Sequence, residues 1–378
     1  MKSLPLNTGY FLGGLACLTL VANLLYLGWF RQEVSSVYEG RLNGLSALIH
    51  GLYPQFQVEK QRLSLQFFLN KADQVVLRAN LILLFFAVIT VVLPGWWVRF
   101  TGHLSAAATS PLQVKVLRLL YFMCVLGFVK DWPVYLQDYQ AFRAFYEPLP
   151  ILGLIALPYP SEWVIILMGV LLFQGGIFAA LGLWPIWHAV QTFLLCTLFN
   201  AYLQGFGKTD HAWVIFGYAG MFMPFLLWNF REAKNKKIGV IKAWPLRWIQ
   251  LCVALGYLMS GLEKLSAGTW AWLSGEQLEH YIYRYHPNAL GFFPGKVLPV
   301  VATLLVLAFQ LTFWMILRKK EWTSFFLMSG IIFHFSTVWF LGVGAVASPW
   351  VAVYIFFINW EKLLCNSNFT KGNELITK

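Results

Sequence analysis

Ten stretches of roughly 20 apolar residues recur along this chain, each long enough to cross a bilayer as a helix. They fall at about 9–30, 77–97, 113–130, 162–182, 185–203, 212–230, 246–265, 297–317, 323–344 and 349–364. Lipid offers a backbone no hydrogen bonds, so a spanning segment must satisfy its own amides, and a helix does so locally. The expected fold is an all-α integral membrane protein, a polytopic bundle of about ten transmembrane helices. Composition agrees: of 378 residues, 59% are hydrophobic and 12% charged, against about a quarter charged in soluble domains. The run from Gly9 to Phe30 is too long for a signal-peptide core and has no clear cleavage site, so it is read as a retained first span. Only Ser348–Pro349 separates the last two stretches.

Charge orients the bundle. Arg231, Lys234, Lys236, Lys237, Lys242 and Arg247 form the strongest basic loop, which belongs on the cytoplasmic side. Arg318, Lys319 and Lys320 follow two spans later, and counting back by twos reaches Arg99, Lys115 and Arg118, then Lys2. Both termini are therefore expected in the cytoplasm. The net charge of +12 is accounted for by these loops rather than by nucleic acid, which is not an expected partner. The 18 tryptophans suit helix ends at the headgroup level. No internal repeat or separate soluble domain is visible, so residues 1–378 read as one transmembrane domain.

Long, mixed-charge segments at 31–76, 131–161 and 266–296 alternate with the basic loops and fall on the outer side. In the first, Leu42, Leu45, Leu48 and Leu52 repeat at helical spacing. Two readings compete there: a helix lying on the membrane surface, or a helical cap over the bundle. In the second, Leu149–Leu157 lies among Pro148, Pro150, Pro158 and Pro160 and is too short to span, so it reads as re-entrant or interfacial. In the third, Ser274-x-x-Gln277 has the pattern of a capping box opening a helix to Tyr285. Glu276 and His280 on that helix stand four apart, open to metal binding or to a plain solvated pair; no metal site is expected.

Ionisable residues inside spans are costly and carry a default suspicion of function. The strongest group is Tyr257, Ser260, Glu263 and Lys264, with Trp270 and Trp272 beyond. Tyr257, Ser260 and Lys264 follow at steps of three and four and share one helix face. Loss of hydration favours a neutral amine, which can act as a general base, and a paired Glu263 opposes that. The competing reading is snorkelling, since Lys264 lies near the outer end of its helix. Asn200, Tyr202, Gln204, Lys208, Asp210 and His211 form a second polar cluster at an outer turn, expected to face Lys264 across one cavity. His334 sits mid-span, where an imidazole needs a partner. His188 also lies in a span, but two histidines on each of two helices are absent, so hydrogen-bonded core histidines are expected rather than haem ligands. Cys17, Cys124, Cys196, Cys252 and Cys365 form no C-x-x-C and read as small core residues.

The stretch from Tyr257 through Ser260-Gly261, Lys264 and Trp272-Leu273-Ser274-Gly275 to Glu276 resembles a signature of the horizontally transferred transmembrane (HTTM) family. That family includes the membrane portion of vitamin K-dependent gamma-carboxylases. Weaker similarities lie at Gly330–Phe335 through Leu341–Gly344, around His334, and at Phe199–Gly205 through Asp210–Trp213. The resemblance implies that Lys264 deprotonates a reduced, vitamin K-like quinone, with His334 and His211 as further catalytic candidates. It implies that Tyr257, Ser260, Asn200, Tyr202 and Trp272 line the quinol. It also implies a bacterial inner membrane, with membrane lipid and a peptide substrate or partner protein as partners. Two departures stand against protein carboxylation. Ala201 follows Asn200 where the carboxylases have histidine, and their large lumenal domain has no counterpart here. The rival from another class is a non-catalytic membrane factor for maturation or export of a secreted peptide. A transporter would show two matching halves.

Overall fold

The computed structural model describes residues 6–41, 59–93, 96, 101–102, 104, 106–146, 158–206, 212–267, 269–285, 297–318, 320–341 and 348–365. These residues are almost wholly helical. Seven helices are long and apolar enough to cross a membrane: Gly9–Tyr38, Leu65–Val92, Pro111–Phe145, Glu162–Leu181, Pro185–Gln204, Trp213–Asn235 and Val297–Leu317. The chain is therefore an integral membrane protein by length and apolarity of its helices. It divides into two compact units, residues 1–105, 134–165 and 198–209 in the first, and 106–133, 166–197 and 210–378 in the second.

In the first unit, helix α1 (Leu6–Leu25) continues through a π-helical turn at Tyr26–Phe30 into α2 (Arg31–Tyr38), and α3 (Leu65–Val92) packs against both. Ser64 caps α3 by accepting from the Phe67 amide. Asn23 and Asn80 exchange amide hydrogen bonds at 2.8 and 2.9 Å. Tyr26 donates to Asp73, which also faces Arg31 at 3.5 Å. These polar pairs zip two helices whose other faces are apolar and exposed, as at Leu81, Leu84 and Val88, a surface suited to lipid. Residues 31–38 and 65–76 continue the two helices beyond their apolar parts, and Arg31 pairs with Asp73 across them. Leu42, Leu45, Leu48 and Leu52 lie outside the described residues, as does Leu149–Leu157.

The second unit is built from α4 (Pro111–Val129), part of α5 (Trp132–Asp138), most of α6 (Glu162–Leu181), the first part of α7 (Pro185–Gln204), α8 (Ala212–Asn235), α9 (Trp244–Ala267), α10 (Thr269–Leu273), α11 (Glu276–Tyr285), α12 (Val297–Thr312), α13 (Thr323–Leu341) and α14 (Pro349–Ala352). Central among these is α9, which packs on α8 along one side and on α12 and its 3-10 continuation Phe313–Leu317 along the other. Small residues permit the approach: a Cβ on Gly261 would stand 3.0 Å from the Leu311 side chain. Before α4, Ala108–Thr109 (β1) pairs antiparallel with Ile241–Lys242 (β2) before α9. The loops preceding α4 and α9 are thus tied at one end of this unit.

The last apolar stretch, expected as one span, is broken. Ser348 caps α14, a 3-10 turn follows at Val353–Phe357, Ile358 is extended, and helix resumes at residue 360. The freed backbone groups find buried glutamines. Gln113 Nε2 donates to the Ile358 carbonyl at 2.8 Å, and Gln113 Oε1 accepts from the Trp360 amide at 2.8 Å. Gln250 Nε2 donates to the Phe356 carbonyl at 2.6 Å. Irregular backbone inside a bundle survives only when side chains complete it. Gln113→Leu strands one donor and one acceptor and should destabilise the protein by about 2–4 kcal/mol. The check is unfolding of the detergent-solubilised protein in a sodium dodecyl sulfate titration. An unchanged midpoint would mean that something else holds the break.

Candidate functional site

The face of α9 toward α12 carries Tyr257, Ser260 and Lys264, and the neighbouring helices complete two polar centres on it. At the first, Lys264 Nζ donates to Ser260 Oγ at 3.0 Å and approaches the Ser260 carbonyl at 3.4 Å. The amine lies 5.3 Å from the centre of the Trp272 ring, contributed by α10. Ser260 stands one turn earlier on α9, so the lysine folds back along its helix under an aromatic lid. A snorkelling lysine would extend the other way, to the end of the helix. Glu263 falls on the exposed side. From α12, Gln310 Nε2 donates to the same Ser260 oxygen at 3.3 Å. Ser260 thus fastens α9, α12 and the amine to one another. A half-buried amine held by the Ser260 hydroxyl and a ring face can accept a proton from an acidic hydroxyl or stabilise the oxyanion that forms.

Two turns deeper, the buried Tyr257 hydroxyl stands 2.7 Å from His334 Nε2 and 2.7 Å from the Tyr354 hydroxyl. A phenol has a single proton, so Tyr257 donates to one neighbour and accepts from the other. The rings of Phe313, Trp350 and Phe309 surround it with centroids at 4.4, 5.0 and 5.2 Å. This centre joins α9, α13 and the broken last segment through hydrogen bonds that the apolar surroundings strengthen. The partner expected for His334 is therefore Tyr257, a residue assigned on sequence to Lys264's own group. His188 similarly meets Gln191, with Nδ1 3.1 Å from Oε1.

Asn200 and Tyr202 belong to the first unit and Lys264 to the second. Tyr202 packs beside Tyr146 and Tyr159, with ring centres at 6.0 and 6.2 Å. Burial, helped by nearby Tyr202, pushes the Tyr146 phenol up to about 12. His211, Lys208 and Asp210 lie outside the described residues. The capping box at Ser274 is not formed: Ser274 Oγ is buried with no hydrogen-bond partner among the described residues. Gly275, at φ +77°, makes the turn, and its carbonyl accepts from the Glu279 amide. His280 on α11 is exposed, and no group of three metal-ligating side chains gathers among the described residues.

Sequence reasoning passed over Gln310, Thr303 and Tyr354. A signal was present for Gln310 and Thr303, since both are polar residues inside an otherwise apolar span. Tyr354 carried none, because tyrosine is ordinary in a chain so rich in aromatics. Comparison with family models, with curated proteins and with solved structures gives no match.

Proposed function

We propose that this chain is an HTTM-like membrane enzyme, akin to the membrane part of the gamma-carboxylases, in which Lys264 acts as base toward a quinol or another lipid-soluble hydroxyl compound. The observation that carries this reading is the position of the Lys264 amine, folded inward onto Ser260 and covered by Trp272. The residues suit a quinol: an amine for its hydroxyl and an aromatic wall for its ring. When bound, the quinol supplies a reductant for oxygen. Lys264 holds the proton that leaves the hydroxyl, Ser260 fixes the amine, and Trp272 keeps water from it. Protein carboxylation forms no part of the proposal.

The proposed setting is a bacterial inner membrane, with Lys264 toward the outer side and both termini cytoplasmic. Ten crossings are reached by adding α9, α13 and the broken segment 349–365 to the seven long helices. Its helical pieces and extended joint together reach roughly 30 Å, enough for the hydrocarbon core. The β1–β2 pair supports the orientation, since it brings the two basic loops together at one end.

Purified protein in lipid nanodiscs should consume oxygen when given a reduced short-chain quinol, and should not when given the oxidised quinone. Absence of quinol-dependent uptake would sink the enzymatic reading and favour the non-catalytic maturation or export factor. For topology, Lys236→Cys is placed in a chain whose five native cysteines are serine. It should react with an impermeant maleimide only after the cells are opened. Labelling of intact cells would invert the orientation.

A further inference from the structure

Three buried side-chain oxygens on or beside α12 lack a hydrogen-bond partner among the described residues: Gln310 Oε1, Thr303 Oγ1 and Ser274 Oγ. Gln310 is 3% exposed and Thr303 is fully buried. The two stand seven residues apart, on one face of α12. Ser274 precedes Gly275, whose Cβ would press on the backbone of Pro299 and Val300 at the start of α12. Buried polar atoms are nearly always paired, and an orphan acceptor in a low-dielectric interior is costly.

Gln310 is the telling member of this group. Its Nε2 is committed to Ser260 Oγ, the atom that also takes the Lys264 hydrogen bond. With the amide fixed in that orientation, Oε1 needs a donor. The Lys264 amine nearby, bonded to Ser260, keeps further N–H capacity. A carboxylate or a quinone carbonyl would answer only the amine. One hydroxyl oxygen answers both on binding, by donating its proton to Gln310 and accepting from Lys264; transfer to the amine then requires the hydroxyl to turn that proton from Gln310 to Lys264.

We infer that Gln310 is a specificity residue of the Lys264 site, selecting a ligand that presents a hydroxyl and disfavouring an isosteric oxygen without a proton. The choice of a phenolic hydroxyl rests on the function proposed above. In that setting Gln310 tells the reduced form of the substrate from its oxidised form before any proton moves. A site whose buried polar groups are built to bond a hydroxyl penalises the analogue lacking it, because those groups are then left unpaired.

The test uses 4-pentylphenol and its methyl ether, which differ in the donor and involve no redox step. Binding to wild-type protein in nanodiscs is measured by titration calorimetry, with protein-free nanodiscs subtracted. The phenol should bind about tenfold or more tightly than the ether. Gln310→Leu should bring the two affinities within about twofold, in a protein that still unfolds cooperatively. Gln310→Met serves where the leucine variant does not fold. Equal binding by wild type overturns the inference, since a water would then be enough to satisfy Gln310. A preference for the ether overturns it as well, since the amide N–H would then face the ligand. Discrimination that survives both variants also overturns it. Turnover is not needed for this measurement. Gln310-dependent discrimination without quinol-dependent oxygen uptake would remove only the proposed base chemistry. Lys264-dependent uptake with indiscriminate binding would remove only the role of Gln310.

Discussion

Lys264→Ala should lower quinol-dependent oxygen uptake by about 10²–10⁴-fold, the usual contribution of a positioned general base. That loss corresponds to roughly 3–5 kcal/mol of barrier. The amine hangs at the end of α9 on one serine and one ring face, so little packing is lost with it, and the unfolding midpoint should stay near wild type. Lys264→Arg separates base from mere positive charge. A guanidinium keeps the charge but does not surrender its proton near neutral pH, so arginine should be almost as inactive as alanine. Ser260→Ala leaves the amine in place and loosens it, with an expected loss nearer tenfold. Oxygen-electrode rates on the three variants, with unfolding curves alongside, make the check. An alanine variant at more than half the wild-type rate would make Lys264 a structural residue.

A large effect on stability is also expected from the smallest of substitutions. Gly330 on α13 faces the Tyr354 ring, and a Cβ there would stand 2.6 Å from Cζ. That ring has nowhere to go. Its hydroxyl is bonded to Tyr257, and it stacks on Phe313 with centroids 6.0 Å apart. Gly330→Ala should therefore cost about 2–3 kcal/mol through overpacking and a distorted hydrogen bond. At Gly127 on α4 nothing lies within 4 Å of the added Cβ. Gly127→Ala should be neutral, or stabilising by up to about 1 kcal/mol, because alanine is the better helix former. Tyr354→Phe removes the hydroxyl that alanine would strike, so the Gly330→Ala/Tyr354→Phe pair should lose less than the two single losses summed. Tryptophan fluorescence during thermal unfolding reports all four variants. Equal behaviour at Gly330 and Gly127 would mean that the Tyr257 junction is loosely packed.

Apolar length alone carries the seven long helices, because a segment in lipid has few options besides helix. It carries α9 less well, where Arg247, Glu263 and Lys264 dilute the signal, and it does not reveal the break within residues 349–364. There the composition is that of a span, and the break depends on Gln113, whose partner Ile358 lies 245 residues away. Periodicity placed Ser260 and Lys264 on one face correctly, since i and i+4 neighbours meet on any helix. The pairing of Tyr257 with His334, 77 residues apart, depends on which helices become neighbours, and no local pattern encodes that. The capping box shows the opposite failure. Ser274 and Gln277 have the right spacing, but Gly275 at positive φ turns the chain and leaves the serine hydroxyl unused.

The glutamine clip also sets an order of events during synthesis. Gln113 is translated well before its partners Ile358 and Trp360, which lie 245 and 247 residues further along the chain. Until those residues have been made and docked, α4 holds a side-chain amide with neither of its bonds, in a place that lipid or loosely packed neighbours must cover. A chain stopped short of Trp360 would retain nearly every helix and still display that unsatisfied group permanently. The settling of α4 thus waits on residues translated much later, and the clip couples an early helix to a late one.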